Sequence, residues 1–198
     1  MFNIFLIALI SLTTFIGCST KVIRTDARAI TDYSGGWNDT DARMVAEEMI
    51  ADCLTGQWIN NFNKANGRTP QVIVGTISNK TYEHIATDIF IKSLERTLTN
   101  SGKVLFVADK SERQEIRDER QDQMLGNTDP ATVSRPGHEI GADFILQGSL
   151  NAVEDAVPGK KSMFYQANLQ LIDLKTNQKI WIGQKEIKKI VLRPSTRL

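Results

Sequence analysis

The chain has little of what most enzymes are built from. Its 198 residues include only two histidines and two cysteines. His84 and His138 stand far apart, neither lies in an HExxH pattern, and no Cys/His group has the spacing of a zinc set. No GxGxxG or GxxxxGK[ST] run follows a hydrophobic strand, so the glycine cradles for dinucleotide and nucleotide phosphates are missing. There is also no GxSxG nucleophile elbow. No catalytic residue, cofactor or metal site is therefore expected, and the chain reads as a non-enzyme. Excess charge of one sign is lacking as well. Twenty-four Lys and Arg stand against 23 Asp and Glu, a formal net charge of +1, so nothing draws the chain as a whole to nucleic acid or anionic lipid. No apolar run reaches the roughly 20 residues that cross a bilayer as a helix.

The longest apolar run, Ile4 to Ile16, has thirteen residues and is followed by Gly17 and Cys18. It has the length of the centre of a secretory signal, with a small residue before the cut. The string Phe15-Ile16-Gly17-Cys18 resembles the lipobox of bacterial lipoproteins. That resemblance implies cleavage before Cys18 and acylation, palmitate included, of both its sulfur and its new amine. Ser19, which is not Asp, then implies delivery to the outer membrane, with the domain facing the periplasm. An ordinary cleaved signal and an uncleaved short anchor are the alternatives. Two or more acyl chains hold stably where one binds only marginally. The expected division is a signal peptide over 1–17, a lipidated N-terminus and short flexible tether over 18–37, and a single α/β domain over 38–198. Fully stretched, residues 19–37 reach roughly 65 Å; as a coil they span about 24 Å. Cys53, among Met49, Ile50 and Leu54, reads as a core residue.

Periodicity predicts the elements. A first helix is expected from about Asp41 to Asn63, capped by Asn38, Asp39 or Thr40, with Ala42, Val45, Ala46, Met49, Ile50 and Cys53 on one face and a stop at Asn66-Gly67. Val72 to Ile77 reads as a central strand buried on both faces. Ser78 to Thr81 is a turn capping a second helix, Tyr82 to Asn100, whose buried side holds Ile85, Ile89, Leu94 and Leu98. Lys103 to Val107 is a second, parallel strand. Residues 110–123 make a charged helix with Ile116 as almost its only apolar residue, and Asp109, Glu112 and Glu115 belong to its start. Another helix can start at Asp129-Pro130, ending before Pro136-Gly137. Asp143 to Leu150 is a strand. Met163, Tyr165, Ala167, Leu169 and Leu171 alternate with Phe164, Gln166, Asn168 and Gln170, as in a strand with one wet face. Lys175 to Gln178 turns it into an antiparallel return over Lys179 to Ile187. The sum is a mixed sheet of four to five strands flanked by helices, a three-layer α/β sandwich.

Candidate partner-binding residues are Asn79, Lys80, Thr81 and Tyr82 in the loop after the buried strand, Arg113, Arg117 and Arg120 on the charged helix, and Gln166 and Asn168, with Gln170, on the wet strand face. The Asn79-Lys80-Thr81 triplet also matches an N-glycosylation acceptor, and a helix cap would account for Asn79 and Thr81 too.

An ordered set of segments resembles the LpoB-type activators of penicillin-binding proteins. Val74 to Thr81 resembles that family's first strand and its Asn-Arg-Thr-like turn. Leu94 to Val107, with Asn100-Ser101-Gly102-Lys103 inside it, resembles the helix–strand passage. Gly141 to Leu146 resembles the Gly-Ala-entered strand, and Leu169 to Trp181 the closing hairpin with its Ile-Trp pair. The resemblance runs from about residue 40 to 189. It implies a fold like the N-terminal domain of TolB and an outer-membrane lipoprotein that binds and allosterically activates a bifunctional penicillin-binding protein. Partners are then the synthase and, through the lipid, the membrane; nucleic acid is not one, and the oligomeric state stays open. Competing readings are an adaptor or subunit of another envelope assembly, such as a CsgG-like secretion complex, and a hydrolase or nucleotide-binding enzyme.

Overall fold

The computed structural model describes residues 20–192. The expected signal, Cys18 and Ser19 lie outside these residues, as do 193–198. Helix α1 covers Asp39–Thr55. Asn38 accepts the N–H of Asp41, and the Asp41 carboxylate accepts the N–H of Asn38, a reciprocal cap that uses two otherwise unpaired donors. The predicted apolar face is buried throughout, from Ala42 to Cys53. The helix does not run on to Asn63. It breaks at Gly56, where the backbone is extended, and α2 restarts over Trp58–Asn66. The break turns Trp58 so that its Nε1 donates to the Cys53 carbonyl at 2.8 Å, filling one of the acceptors a helix end leaves open. Gly67, at φ 65°, ends α2 in the left-handed region.

Strand β1 covers Gln71–Asn79, α3 Thr87–Asn100, β2 Leu105–Phe106, α4 Lys110–Gln123, β3 Phe144–Val157, β4 Lys160–Asp173 and β5 Lys179–Leu192. The five strands lie in the order β2-β1-β3-β4-β5. β1 is parallel to β2 and β3, and β3, β4 and β5 are successively antiparallel. This is the predicted α/β class: a mixed sheet with helices. Val72, Val74, Phe144, Leu146, Leu150, Ala167, Leu169 and Leu171 form one buried cluster with residues of α1, α2 and α3. The alternation in β4 is as predicted, with Met163 to Leu171 buried at every second residue. On the other face Ile73 and Ile145 share a cleft with α4. Gly148 answers a close approach, since a Cβ there would run into the carbonyl of Asn168 on β4.

Several expectations need correction. Ile73 and Gly75 are only half-buried and Thr76 is exposed, so β1 is not covered on both faces. β2 has two residues instead of five, because Leu105 and Val107 complete their bonds to Pro70 and Val72 and nothing continues the ladder. α3 begins at Thr87, five residues later than expected, and Ile89 is exposed; its buried side is Phe90, Leu94, Glu95 and Leu98. No helix forms over 129–136, where the backbone only turns. β3 extends seven residues past Leu150, so a second antiparallel hairpin, β3–β4, turns at Pro158-Gly159 with Gly159 at φ 80°.

The entries to β1 and β3 are tied by one ion pair. Arg68 meets Asp143 through both guanidinium ends at 2.7 and 2.6 Å, and Asp143 also accepts the N–H of Gln71 at 2.9 Å. Partial burial works to raise the Asp143 pKa, but Arg68 and the Gln71 N–H outweigh it and hold the carboxyl below its ordinary value. A depressed carboxyl contributes stability above its unfolded pKa, about 3.9, and loses it as pH falls through the folded value. Asp143→Asn is therefore expected to cost about 1–2 kcal/mol at pH 7 and to shrink that difference on acidification. Urea unfolding at pH 7 and at pH 3 checks it; an equal loss at both would remove the ionised carboxylate from the account.

Candidate functional site: surfaces for a partner

The loop after β1 is an Asx turn instead of a helix cap. Asn79 Oδ1 accepts the N–H of Thr81 at 2.9 Å and its hydroxyl at 2.7 Å, while Nδ2 donates to the Glu83 carbonyl at 2.8 Å. Lys80 extends the sheet by donating its N–H to the Leu150 carbonyl at 2.8 Å, and its side chain is exposed. The Tyr82 hydroxyl donates to Glu154 at 2.9 Å and lies 3.3 Å from Met163 Sδ.

Beneath this loop sits a group that sequence reasoning missed. Glu83 accepts the hydroxyl of fully buried Tyr165 at 2.6 Å through Oε1 and the N–H of Trp37 at 3.2 Å through Oε2. Burial and the Glu83 carboxylate push the Tyr165 hydroxyl pKa up. The Trp37 ring packs edge-on against Tyr165 and Phe90 at 5.6 and 6.1 Å. Alongside, Lys189 on β5 reaches Asp41 at 2.5 Å, Asp32 at 2.7 Å and the Gly36 carbonyl at 2.9 Å. Residues 32–37 are thus fastened to the domain. These partners lie 46, 82 and 148 positions apart in the chain, and no local pattern marks them.

α4 buries none of its residues, as its composition predicted. Asp109 caps it, accepting the N–H groups of Ser111 and Glu112 at 2.7 and 2.9 Å, and those bonds hold the Asp109 carboxyl pKa below its ordinary value. Glu112 meets Lys92 of α3 at 2.8 Å, and Lys92 also meets Glu95 at 2.7 Å. Arg117 makes bonds of 3.0 and 2.8 Å to Glu139, and Arg120 joins at 2.8 Å, so two of the predicted arginines are already paired within the chain. Arg113 is different: its Nε is hidden from solvent without a hydrogen-bond partner.

Gln166 and Asn168 stand on β4 opposite Asn151 and Ser149 of β3 and Glu186 and Gln184 of β5. Asn168 donates to Gln166 at 3.0 Å, and Gln166 and Gln184 both donate to Glu186, at 3.3 and 2.7 Å. Gln170 continues this half-buried polar face, opposite Gln147. The loop and this face adjoin, since Lys80 bonds Leu150 and the next residue, Asn151, faces Gln166. α4 stands apart beside β1, so the predicted residues fall into two regions.

His84 and His138 are exposed, and among the described residues no cluster of three or more His, Cys, Asp or Glu could hold a metal. Cys53 is buried, and burial, with Asp52 nearby, raises its thiol pKa to about 12, which makes it inert at neutral pH. No described helix is long and apolar enough to cross a membrane. Amides, hydroxyls and exposed ion pairs make up both regions, an arrangement suited to recognition.

A family model described as "Peptidoglycan-synthase activator LpoB" matches residues 41–187. The chain belongs to the LpoB family. It is thereby placed among activators, and the resemblance read from its segments is borne out. The LpoB match spans α1 through most of β5, so the loop, α4 and the polar face all lie inside it. Among solved structures, the LpoB C-terminal domain from Salmonella enterica is 16% identical, covering 74% of this chain and 98% of that one at a TM-score of 0.43. The NMR structure of Escherichia coli LpoB is 17% identical, covering 88% and 83% at 0.41. Lipoprotein GNA1162 from Neisseria meningitidis is 12% identical, covering 64% and 88% at 0.38. A search of curated proteins returns no match.

Proposed function

We propose that this LpoB-family protein is an outer-membrane lipoprotein, anchored by acylated Cys18 and facing the periplasm, that binds a bifunctional penicillin-binding protein and activates its peptidoglycan synthesis allosterically. The family match over residues 41–187 carries the reading. The division into a signal over 1–17, a lipidated tether and one domain belongs to the same proposal. An activator without chemistry of its own shifts its target only by binding the active state better than the idle one. A tenfold stimulation needs about 1.4 kcal/mol of such preference. The loop at Asn79 to Tyr82, the adjoining face with Gln166 and Asn168, and the α4 arginines 113, 117 and 120 are the surfaces offered for that contact.

The test is glycan-chain polymerisation by the organism's own bifunctional synthases, with and without the protein lacking residues 1–18. Faster polymerisation at stoichiometric amounts is expected, and deleting the synthase's accessory domain should abolish it. Unchanged rates with every synthase, from a folded protein, would send the search to another envelope partner.

A further inference from the structure

β2 pairs with β1 only at Gln71 and Val72. Beyond them, the edge of β1 that faces away from β3 has no strand partner among the described residues, and Thr76 on it is exposed. Peptide groups alternate sides along a strand. The Pro70 and Val72 carbonyls accept bonds from Leu105 and Val107 on this side, so the peptide groups of Val74 also point outward. The edge forms one wall of a cleft of about 1010 Å³, and α3 and α4 form the others.

Two polar atoms in this cleft are buried without partners. One is Oε1 of Glu95 on α3, a residue only 7% exposed whose other oxygen is held by Lys92. The second is Nε of Arg113 on α4. Asp88 lies on the same stripe of α3, about two turns before Glu95, and also lines the cleft. A buried oxygen or N–H left unpaired is costly, and these two ask for a donor and an acceptor respectively. An unpaired strand edge asks for a main chain. An extended polypeptide supplies all of these together, and a basic side chain on it matches the Glu95 and Asp88 carboxylates.

We propose that this cleft accepts an extended segment of the protein partner as an added strand on β1, with a lysine or arginine of that segment on Glu95. The inference rests on the reading of the protein as one that acts by binding a synthase. Residues 193–198 cannot be the occupant. Register places Val74 level with Trp181 on β5, three strands across and eleven residues from Leu192, a span of roughly 35 Å or more. Residues 193–198 reach roughly 20 Å.

The test uses the full-length protein in detergent with the organism's own bifunctional synthase, read by amide hydrogen exchange and by binding affinity. The expected result is new protection of the outward-facing amides of β1 from Val74 on, and a loss of about tenfold or more in affinity for Glu95→Gln. If the synthase binds without protecting those amides and Glu95→Gln binds unchanged, the strand-addition inference falls and the synthase reading stands. If the wild type binds no synthase, both fall. Protection already complete in the free full-length protein would mean that its own N-terminal residues fill the edge, which overturns the inference as well. Should Glu95→Gln fail to fold, the exchange pattern of the wild-type complex decides.

Discussion

Replacing Lys189 with methionine is expected to destabilise the protein by about 3–5 kcal/mol, the usual cost of stranding one member of a buried ion pair. The Lys189 side chain is 11% exposed and that of Asp41 is 9% exposed, so neither charge can turn to water once its partner is gone. Lys189 is also bonded to Asp32 and to the Gly36 carbonyl, and methionine supplies none of the three donors. Asp41 meanwhile remains committed to the Asn38 cap of α1. The measurement is the urea midpoint of wild type and variant, with hydrogen exchange across residues 35–42. Adding Asp41→Asn to Lys189→Met should recover part of the loss by removing the stranded carboxylate. A loss below about 1 kcal/mol, within the range of exposed pairs, would show that Asp41 reaches solvent and that the fastening is superficial.

Phe144→Ala should cost a similar amount, about 3–5 kcal/mol, with a distinctive distribution. Phe144 is 3% exposed and receives the edges of Trp58 and Phe62 at 5.2 and 5.3 Å. These contacts, with Ile59, are what α2 buries, and a helix of nine residues is too short to persist without packing. Truncation should therefore open α2 before the rest. Amide protection over 59–66 is expected to collapse while β3, β4 and β5 keep theirs. Uniform loss across the sheet would mean that α2 and the sheet unfold as one cooperative unit.

What the sequence disclosed and what it hid divide along a physical line. α1, β1, α4, β4 and β5 were legible because their patterns are local: an apolar stripe from Ala42 to Cys53, a β-branched run, a helix with one apolar residue, and a two-residue alternation. The break at Gly56 was hidden because the residues on both sides keep helical spacing, and only the Trp58 bond to Cys53 shows what the kink accomplishes. α3 starts late because Asn79 and Thr81 spend their polar groups within the loop and leave none for a cap. Three of the surfaces offered for a partner could be nominated from composition. Two features central to the candidate surfaces could not: the Glu83–Tyr165–Trp37 junction and the Glu95–Arg113 cleft each join elements distant in the chain, and one buried Glu looks like any other in a helical stripe.

The fastening of residues 32–37 also bears on mechanics. With Cys18 held in a membrane, thirteen residues would lie between the anchor and Asp32, a leash of roughly 50 Å at full stretch, shorter than the roughly 65 Å of residues 19–37. Tension along it would meet the Arg28 and Thr31 carbonyls, held by Arg43 and Asn38, and then the Asp32–Lys189 pair and the seat of Trp37. Releasing that latch would pay out a further six residues to Asn38, roughly 20 Å of slack, with the α1 cap still closed. A domain anchored in this way would hang on a line with two working lengths, and Lys189 would set the load at which it passes from the shorter to the longer.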